Sequence, residues 1–342
     1  MIEFTDASIE TYALHRISID HAKNIVNEKA LAPNSDEEND ILKRIFLRPF
    51  ISSSTTYEFK HDVDIDLNTL LKLSNDIQNG DNFAIKSINI HQHLKSVSKH
   101  PNIKDGDLFV VKFKNLQLNR NFYDGLGIYK IENKESFIET SDNGSSEIGI
   151  SFKKGIGTKR LDKACLILFT EEPYTVFVID NNSSETDYWQ NEFLKVGYRN
   201  DHINNTNQFL SLTKSYLTEQ LPNEFEVSKA DQIDLLNRSV DYFKNHESFD
   251  KAEFENEVFQ DNTLIESFRS FDSSYRQENA LDIADDFEIS QQAVKKQAKI
   301  FKSVLKLDKN FHIYIHGDRQ LIEQGIEKDG RKYYKIYFDK ES

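Results

Sequence analysis

The residues of this chain best spaced to do chemistry are lysines. Lys295, Lys299, Lys302 and Lys306 follow i, i+4, i+7, i+11, which on an α-helix forms a single stripe. Val294, Ala298, Phe301 and Leu305 repeat the rhythm one residue earlier, about 100° round the helix. Such a helix buries one face and presents ammonium groups on the next, with Lys296 and Lys309 close by. A row of ammonium groups neutralises phosphates and releases counterions, giving salt-dependent and largely sequence-independent binding to nucleic acid. An ordinary solvated lysine face has the same spacing, as does one docked on acidic groups of its own chain or of a sister subunit. A second basic group, Lys153, Lys154, Lys159 and Arg160, surrounds Gly155-Ile-Gly157. Backbone N–H groups there could cradle a phosphate, although a glycine-kinked loop between two strands is the simpler reading.

Other chemistries find little support. His312 and His316 are four apart, but Phe311, Ile313 and Ile315 alternate around them as on a strand, where four residues span roughly 13 Å. Two side chains cannot hold one ion across that gap. His91 and His93 fall in helical surroundings, which point their rings apart. Cys165 sits within Ala164-Cys-Leu-Ile-Leu-Phe169, the setting of a buried, inert thiol. The chain lacks a Gly-x-Ser-x-Gly elbow, His-Glu-x-x-His, a Walker loop and a dinucleotide fingerprint. The acids of residues 224–288 read as solvated helical faces. The expectation is therefore a protein with no catalytic residues, no metal site and no cofactor, and not an enzyme.

The elements that would position these residues follow from apolar periodicity. Tyr12-Ala-Leu-His-Arg-Ile17 predicts a strand, and a helix is expected from about Asp20. Amphipathic helices are predicted at Asp64–Leu73 and Phe83–Lys99. The centre predicts antiparallel sheet: Asp107–Phe113, Gly125–Ile131, Glu147–Phe152, Ala164–Phe169 and Tyr174–Asp180. From Thr186 onward the pattern turns helical, with Tyr188-Trp-Gln-Asn-Glu-Phe-Leu194 and then Thr206–Leu221, and residues 224–288 continue as helices with Val240, Phe243, Phe254 and Phe259 at helical spacing. The lysine stripe needs a helix from the N-cap Ser290 to Lys306. Strands at Phe311–His316, Leu321–Glu327 and Lys332–Phe338 follow, with Asp329-Gly330 predicting a type I′ hairpin. The fold class is α+β: an N-terminal mixed region with a central antiparallel sheet, a helix-rich region, and a C-terminal helix plus β-hairpin. The segments expected as domains are 1–183, 184–288 and 289–342.

Charge sharpens that division. The chain's net charge is −14 over 342 residues. Residues 1–223 carry 25 positive and 32 negative charges, residues 224–288 carry 6 and 18, and residues 289–342 carry 12 and 7. An acidic module thus precedes a basic one, and a ligand feels the local field rather than the average. A single cysteine excludes a disulfide framework and a cysteine-based zinc site. Met-Ile-Glu-Phe-Thr-Asp has no signal-peptide character, and no apolar run approaches the ~18 residues of a membrane span. Cytoplasmic location without a membrane partner is expected.

Several blocks together resemble the bacterial 37-kDa nucleoid-associated proteins. They are Tyr12-Ala-Leu-His-Arg-Ile17, Gly106-Asp-Leu108, Arg160-Leu-Asp-Lys-Ala-Cys-Leu-Ile167, Tyr188-Trp-Gln-Asn-Glu-Phe-Leu194 and Lys306-Leu-Asp-Lys-Asn-Phe-His-Ile-Tyr-Ile-His316. Their order and spacing cover almost the whole chain. The resemblance implies a cytoplasmic protein of the nucleoid, without catalytic residues or cofactor. The proposed partners are double-stranded DNA or other nucleoid proteins, with a homodimer as the base-rate expectation for a chain of this size. An interaction scaffold using the acidic helices is the alternative, and a metal-dependent nuclease component a more distant one.

Overall fold

The chain spends its most apolar segments on one antiparallel sheet. The computed structural model describes residues 2–53, 55–142, 148–158, 160–181, 188–279, 281–299, 304–315 and 321–340. It comprises two units, Met1–Arg199 and Asn200–Ser342.

In the first unit the elements are β1 (Ile2–Glu3), β2 (Ser8–Ile17), α1 (Asp36–Phe46), β3 (Tyr57–Phe59), α2 (Thr69–Gln78) and α3 (Phe83–Val97). Then come β4 (Gly106–Leu118), β5 (Asn121–Ile131), β6 (Glu135–Asp142), β7 (Ile148–Gly155), β8 (Lys163–Leu168), β9 (Thr175–Asp180) and β10 (Val196–Tyr198). The sheet runs β1-β4-β5-β8-β9-β3-β10, with β2 also paired to β4. Every residue of β8 is buried, because helices or turns cover both faces. Alternation sends Leu126, Ile128, Cys165 and Ile167 to one core with α2, α3 and Trp189. Phe109, Val111, Tyr129 and Leu166 go to the opposite core, with Phe46 and Phe50.

Helix α2 is set by Asn68, whose Oδ1 accepts from the N–H groups of Leu70 and Leu71 at 3.0 Å each. Its Nδ2 donates to the carbonyls of Lys60, Leu194 and Lys195, tying three segments together. The helix expected from Asp20 is only a 3-10 turn, His21–Lys23. Asn24 ends it by donating to the Ser18 and Asp20 carbonyls, and the chain returns beside β2 through the Ile25 and Leu31 bridges.

Four of the blocks that carry the family likeness meet through charged groups in this unit. Arg16 pairs with Asp107 at 3.1 Å. Lys130, 1% exposed, donates to Glu132 at 2.8 Å, to the Lys104 carbonyl at 2.6 Å and to the Tyr188 hydroxyl at 3.0 Å. Lys163 pairs with Asp180 at 2.6 Å and lies against the same Tyr188 ring. Asp162 accepts from the backbone of Glu132 and Asn133. These side chains lock strand ends together, so the blocks mark architecture.

The second unit holds α4 (His202–Ser215), α5 (Leu221–Glu224), α6 (Lys229–Asn245), β11 (Ser248–Asp250), α7 (Lys251–Val258), α8 (Asn262–Glu278), β12 (Asp286–Glu288) and α9 (Gln291–Ala298). It closes with β13 (Val304–Leu307), β14 (Phe311–Tyr314), β15 (Ile322–Ile326) and β16 (Lys332–Ile336), which form two separate antiparallel pairs. Its helical core is aromatic: Phe209 packs against Phe243, Phe249, Phe254 and Phe268 with ring centroids 4.4–6.0 Å apart.

The C-terminal helix is half as long as the lysine spacing predicts. It ends at Ala298, and Val304–Leu307 pairs with Phe311–Tyr314 instead. The strand sends Leu305 into a cluster with Ile233, Ile315 and Ile322, a burial that a continued helix would exchange for one of its own faces. The hairpin at Asp329-Gly330 exists, but Gly330 alone has positive φ, +88°. The Gly330 N–H bonds to the Glu327 carbonyl and the Glu327 N–H to the Arg331 carbonyl. This is a type I turn with a glycine bulge rather than type I′. The Asp329 side chain accepts from the Arg331 N–H, which favours the longer turn.

Candidate nucleic-acid interface

Helix α9 is docked by its polar and small residues. Ser290 caps it by accepting from Ala293, and its own N–H bonds to the Thr206 hydroxyl. Gln291 donates to the Phe243 carbonyl at 3.2 Å, and Gln297 donates to the Asn207 side chain. With Ala293 and Val294 buried, Lys295, Lys296 and Lys299 are left on the exposed side. Lys295 and Lys299 keep the i, i+4 relation, and Lys299 stands at the C-cap, where a cation also suits the helix dipole.

The rest of the stripe is redistributed. Lys306 lies on β13 opposite His312, on the face of the ribbon away from Leu305. Lys309 is exposed in the turn between β13 and β14. Lys302 falls outside the described residues, as does His316. Among the described residues, Lys295, Lys296 and Lys299 thus stand on the helix and Lys306 and Lys309 on the ribbon, instead of in a single row.

Their surroundings bear on the docked-face reading. In the acidic region Lys251 pairs with Asp272 at 2.5 Å, Arg276 with Asp272 at 2.7 Å, Arg269 with Glu255 at 2.6 Å, and Arg238 with Asp234 at 3.1 Å. These acids engage bases of the same region. Among the described residues, no ion pair involves Lys295, Lys299, Lys306 or Lys309, and all four are exposed. The acidic module does not cover them.

Sequence reasoning missed the exposed aromatics of the two C-terminal ribbons. Tyr314 is 67% exposed on the face of the ribbon that carries Lys306 and His312. On β16, Tyr333 and Lys335 share a face, and the Tyr333 ring lies over Gly325, where a Cβ would come within 2.3 Å of it. Lys335 sits 4.7 Å from the Tyr337 ring centroid and donates to its hydroxyl at 2.6 Å. That hydrogen bond, then the charges of Tyr337 and Glu323, raise the Lys335 ammonium above its ordinary range. The signal was present as Lys332-Tyr-Tyr-Lys-Ile-Tyr-Phe-Asp-Lys340, a basic run interleaved with aromatics.

The second basic group belongs to the first unit. Lys153 and Lys154 are exposed on β7, and Lys153 pairs with Glu139 across the hairpin. Arg160 donates to the Asn181 carbonyl at 3.4 Å, and Lys159 lies outside the described residues. Gly155 ends a strand with the Phe137 ring against it, and the space beside Gly157 is taken by the Glu135 carboxylate. A carboxylate at that position opposes a phosphate.

His91 and His93 serve structure. His91 Nε2 lies 3.1 Å from the Arg16 carbonyl and His93 Nε2 3.0 Å from that of Phe193, so the two rings face different segments. Burial lowers the pKa of each. Burial likewise pushes the Cys165 thiol far above its usual range. Among the described residues, ligand atoms of His246, Glu253 and Glu257 lie within 4.8 Å of one another, and both carboxylates are exposed. No described helix is long and apolar enough to cross a membrane.

Comparison with known families matches residues 14–337 to the NA37 family, described as nucleoid-associated protein YejK. No curated protein matches the chain.

Proposed function

This chain belongs to the nucleoid-associated NA37 family, and we propose that it contacts the phosphate backbone of duplex DNA through the lysines of its second unit, without catalysing a reaction. One observation carries the reading. Lys295, Lys299, Lys306 and Lys309 stand exposed and, among the described residues, outside any ion pair, in a chain whose net charge is −14. Lys296, exposed on the same helix, and Lys302, outside the described residues, complete the lysines proposed to contact DNA. Lys153, Lys154, Lys159 and Arg160 form a secondary set, weakened where Lys153 is paired with Glu139. Ammonium groups on flexible stems read charge and not base edges, so the binding is insensitive to sequence.

The protein works at the nucleoid in the cytoplasm, and two copies in a homodimer would present two lysine sets to one duplex. Fluorescence anisotropy of labelled duplexes with the full chain tests this. Replacing Lys295, Lys299 and Lys306 by Gln together is expected to weaken unrelated duplexes alike. Undiminished affinity in the triple variant would remove these residues from the interface.

A further inference from the structure

The ribbon β6–β7 in the first unit carries an apolar face that no described residue of its own chain covers. Every residue of β6 is exposed, and β7 is exposed except at Gly149 and Gly155. The register pairs Ser136 with Lys154, Ile138 with Phe152, Thr140 with Ile150, and Asp142 with Ile148, and these four rows share one face. Ile138 is 60% exposed, Ile148 76%, Ile150 65% and Phe152 80%. Together they present roughly 400–500 Å² of apolar surface, the size of a contact patch rather than of scattered surface residues. A two-stranded ribbon is marginal in water by itself, and this one turns β-branched and aromatic side chains outward.

We propose that this face packs on the same face of a second copy, the two arms lying antiparallel about a two-fold axis. The order of the rows argues for that occupant. Lys154 marks one end of the face and Asp142 the other, with the apolar rows between. A two-fold axis across the strands exchanges the ends, so the Lys154 end of one arm meets the Asp142 end of its partner. It also lays Phe152 against Ile150 of the partner subunit. A parallel arrangement would bring lysine to lysine. Two such patches remove about 900 Å² of apolar surface from water and, with the polar rows at each end, approach the ~1,200 Å² at which stable interfaces begin. Nucleic acid fits this face poorly, because Lys154 is its single cation and Asp142 offsets it.

The inference gives the homodimer its surface and is separate from the leading DNA contact, which involves the lysines of the second unit; Lys154, shared with the secondary set, is tested for duplex affinity as well as for dimerisation. Sedimentation equilibrium of the full chain between about 1 and 100 µM tests it. A dimer is expected, and Phe152→Glu should weaken it by about tenfold or more. Lys154→Glu and Asp142→Lys should each weaken it several-fold, and the two together should restore it. The charge exchange guards against misfolding, since a collapsed arm would not be rescued by its second reversal. A monomer at 100 µM, or a dimer indifferent to Phe152→Glu, overturns the proposal. Either result leaves duplex affinity to be judged separately by anisotropy.

Discussion

His15 makes the first unit acid-sensitive, and the size of the effect can be worked from its surroundings. The side chain is 1% exposed. Its Nδ1 lies 3.2 Å from the Asn27 N–H, which can only donate, so Nδ1 accepts. Its Nε2 lies 3.1 Å from the Ser87 hydroxyl, whose own proton goes to the Ala84 carbonyl at 2.7 Å. Nε2–H therefore donates to Ser87, and the ring is held in one neutral tautomer. A second proton would have to enter at Nδ1, against the Asn27 N–H. Burial first, and the neighbouring His91 second, lower the pKa from 6.5 to about 4.

Because the folded pKa lies below the unfolded one, the unfolded chain takes up a proton that the folded chain refuses as pH falls from 6.5 towards 4. Stability is complete above pH 6.5 and falls through that window, by about 2 kcal/mol at pH 5 and about 3 kcal/mol at pH 4. The variant His15→Gln removes the titrating group. Urea unfolding can be followed through Trp189, the single tryptophan, which is fully buried in the same unit. The difference between wild-type and variant stability should shrink by those amounts as pH falls. Groups not coupled to His15 contribute equally in both proteins and cancel. Parallel stability–pH curves for the two proteins would refute the reasoning.

Two further outcomes follow from buried polar groups. Lys130→Met should destabilise the first unit by about 3–5 kcal/mol, because Glu132, 3% exposed at its side chain, loses its ammonium partner. Adding Glu132→Gln should recover much of the loss in the same urea assay, and no recovery would deny the pairing its role. Asn68→Ala should cost about 2 kcal/mol or more, since it removes the cap of α2 and three carbonyl contacts at once. A loss near zero in thermal unfolding would show that the junction holds without it.

The sheet was legible because its strands are long apolar runs between turn signals. Asp107–Phe113 and Gly125–Ile131 fall within β4 and β5, and Ala164–Phe169 overlaps β8. The end of α9 was not legible. Lys295 to Lys306 fits a helical wheel as well as it fits a helix followed by a strand, and the choice rests on burying Leu305 beside Ile233, about seventy residues away. The lysines were therefore identified as a basic surface while their grouping was not. Tyr314 and Tyr333 escaped notice because aromatics usually signal core, and only the strand register shows which face they take. The apolar face of β6–β7 was hidden for a similar reason. Glu147–Phe152 was expected within the central sheet, whereas β7 pairs with β6 alone, in a ribbon separate from that sheet.

In the proposed function, Lys295, Lys299, Lys306 and Lys309 neutralise DNA phosphates. The most direct measurement is the slope of log affinity against log salt for a duplex, in the wild-type chain and in the Lys295→Gln, Lys299→Gln, Lys306→Gln variant. Each phosphate contact contributes about 0.9 to that slope, so the variant's slope should be shallower by about 2.7. An identical slope in the two proteins would contradict the account.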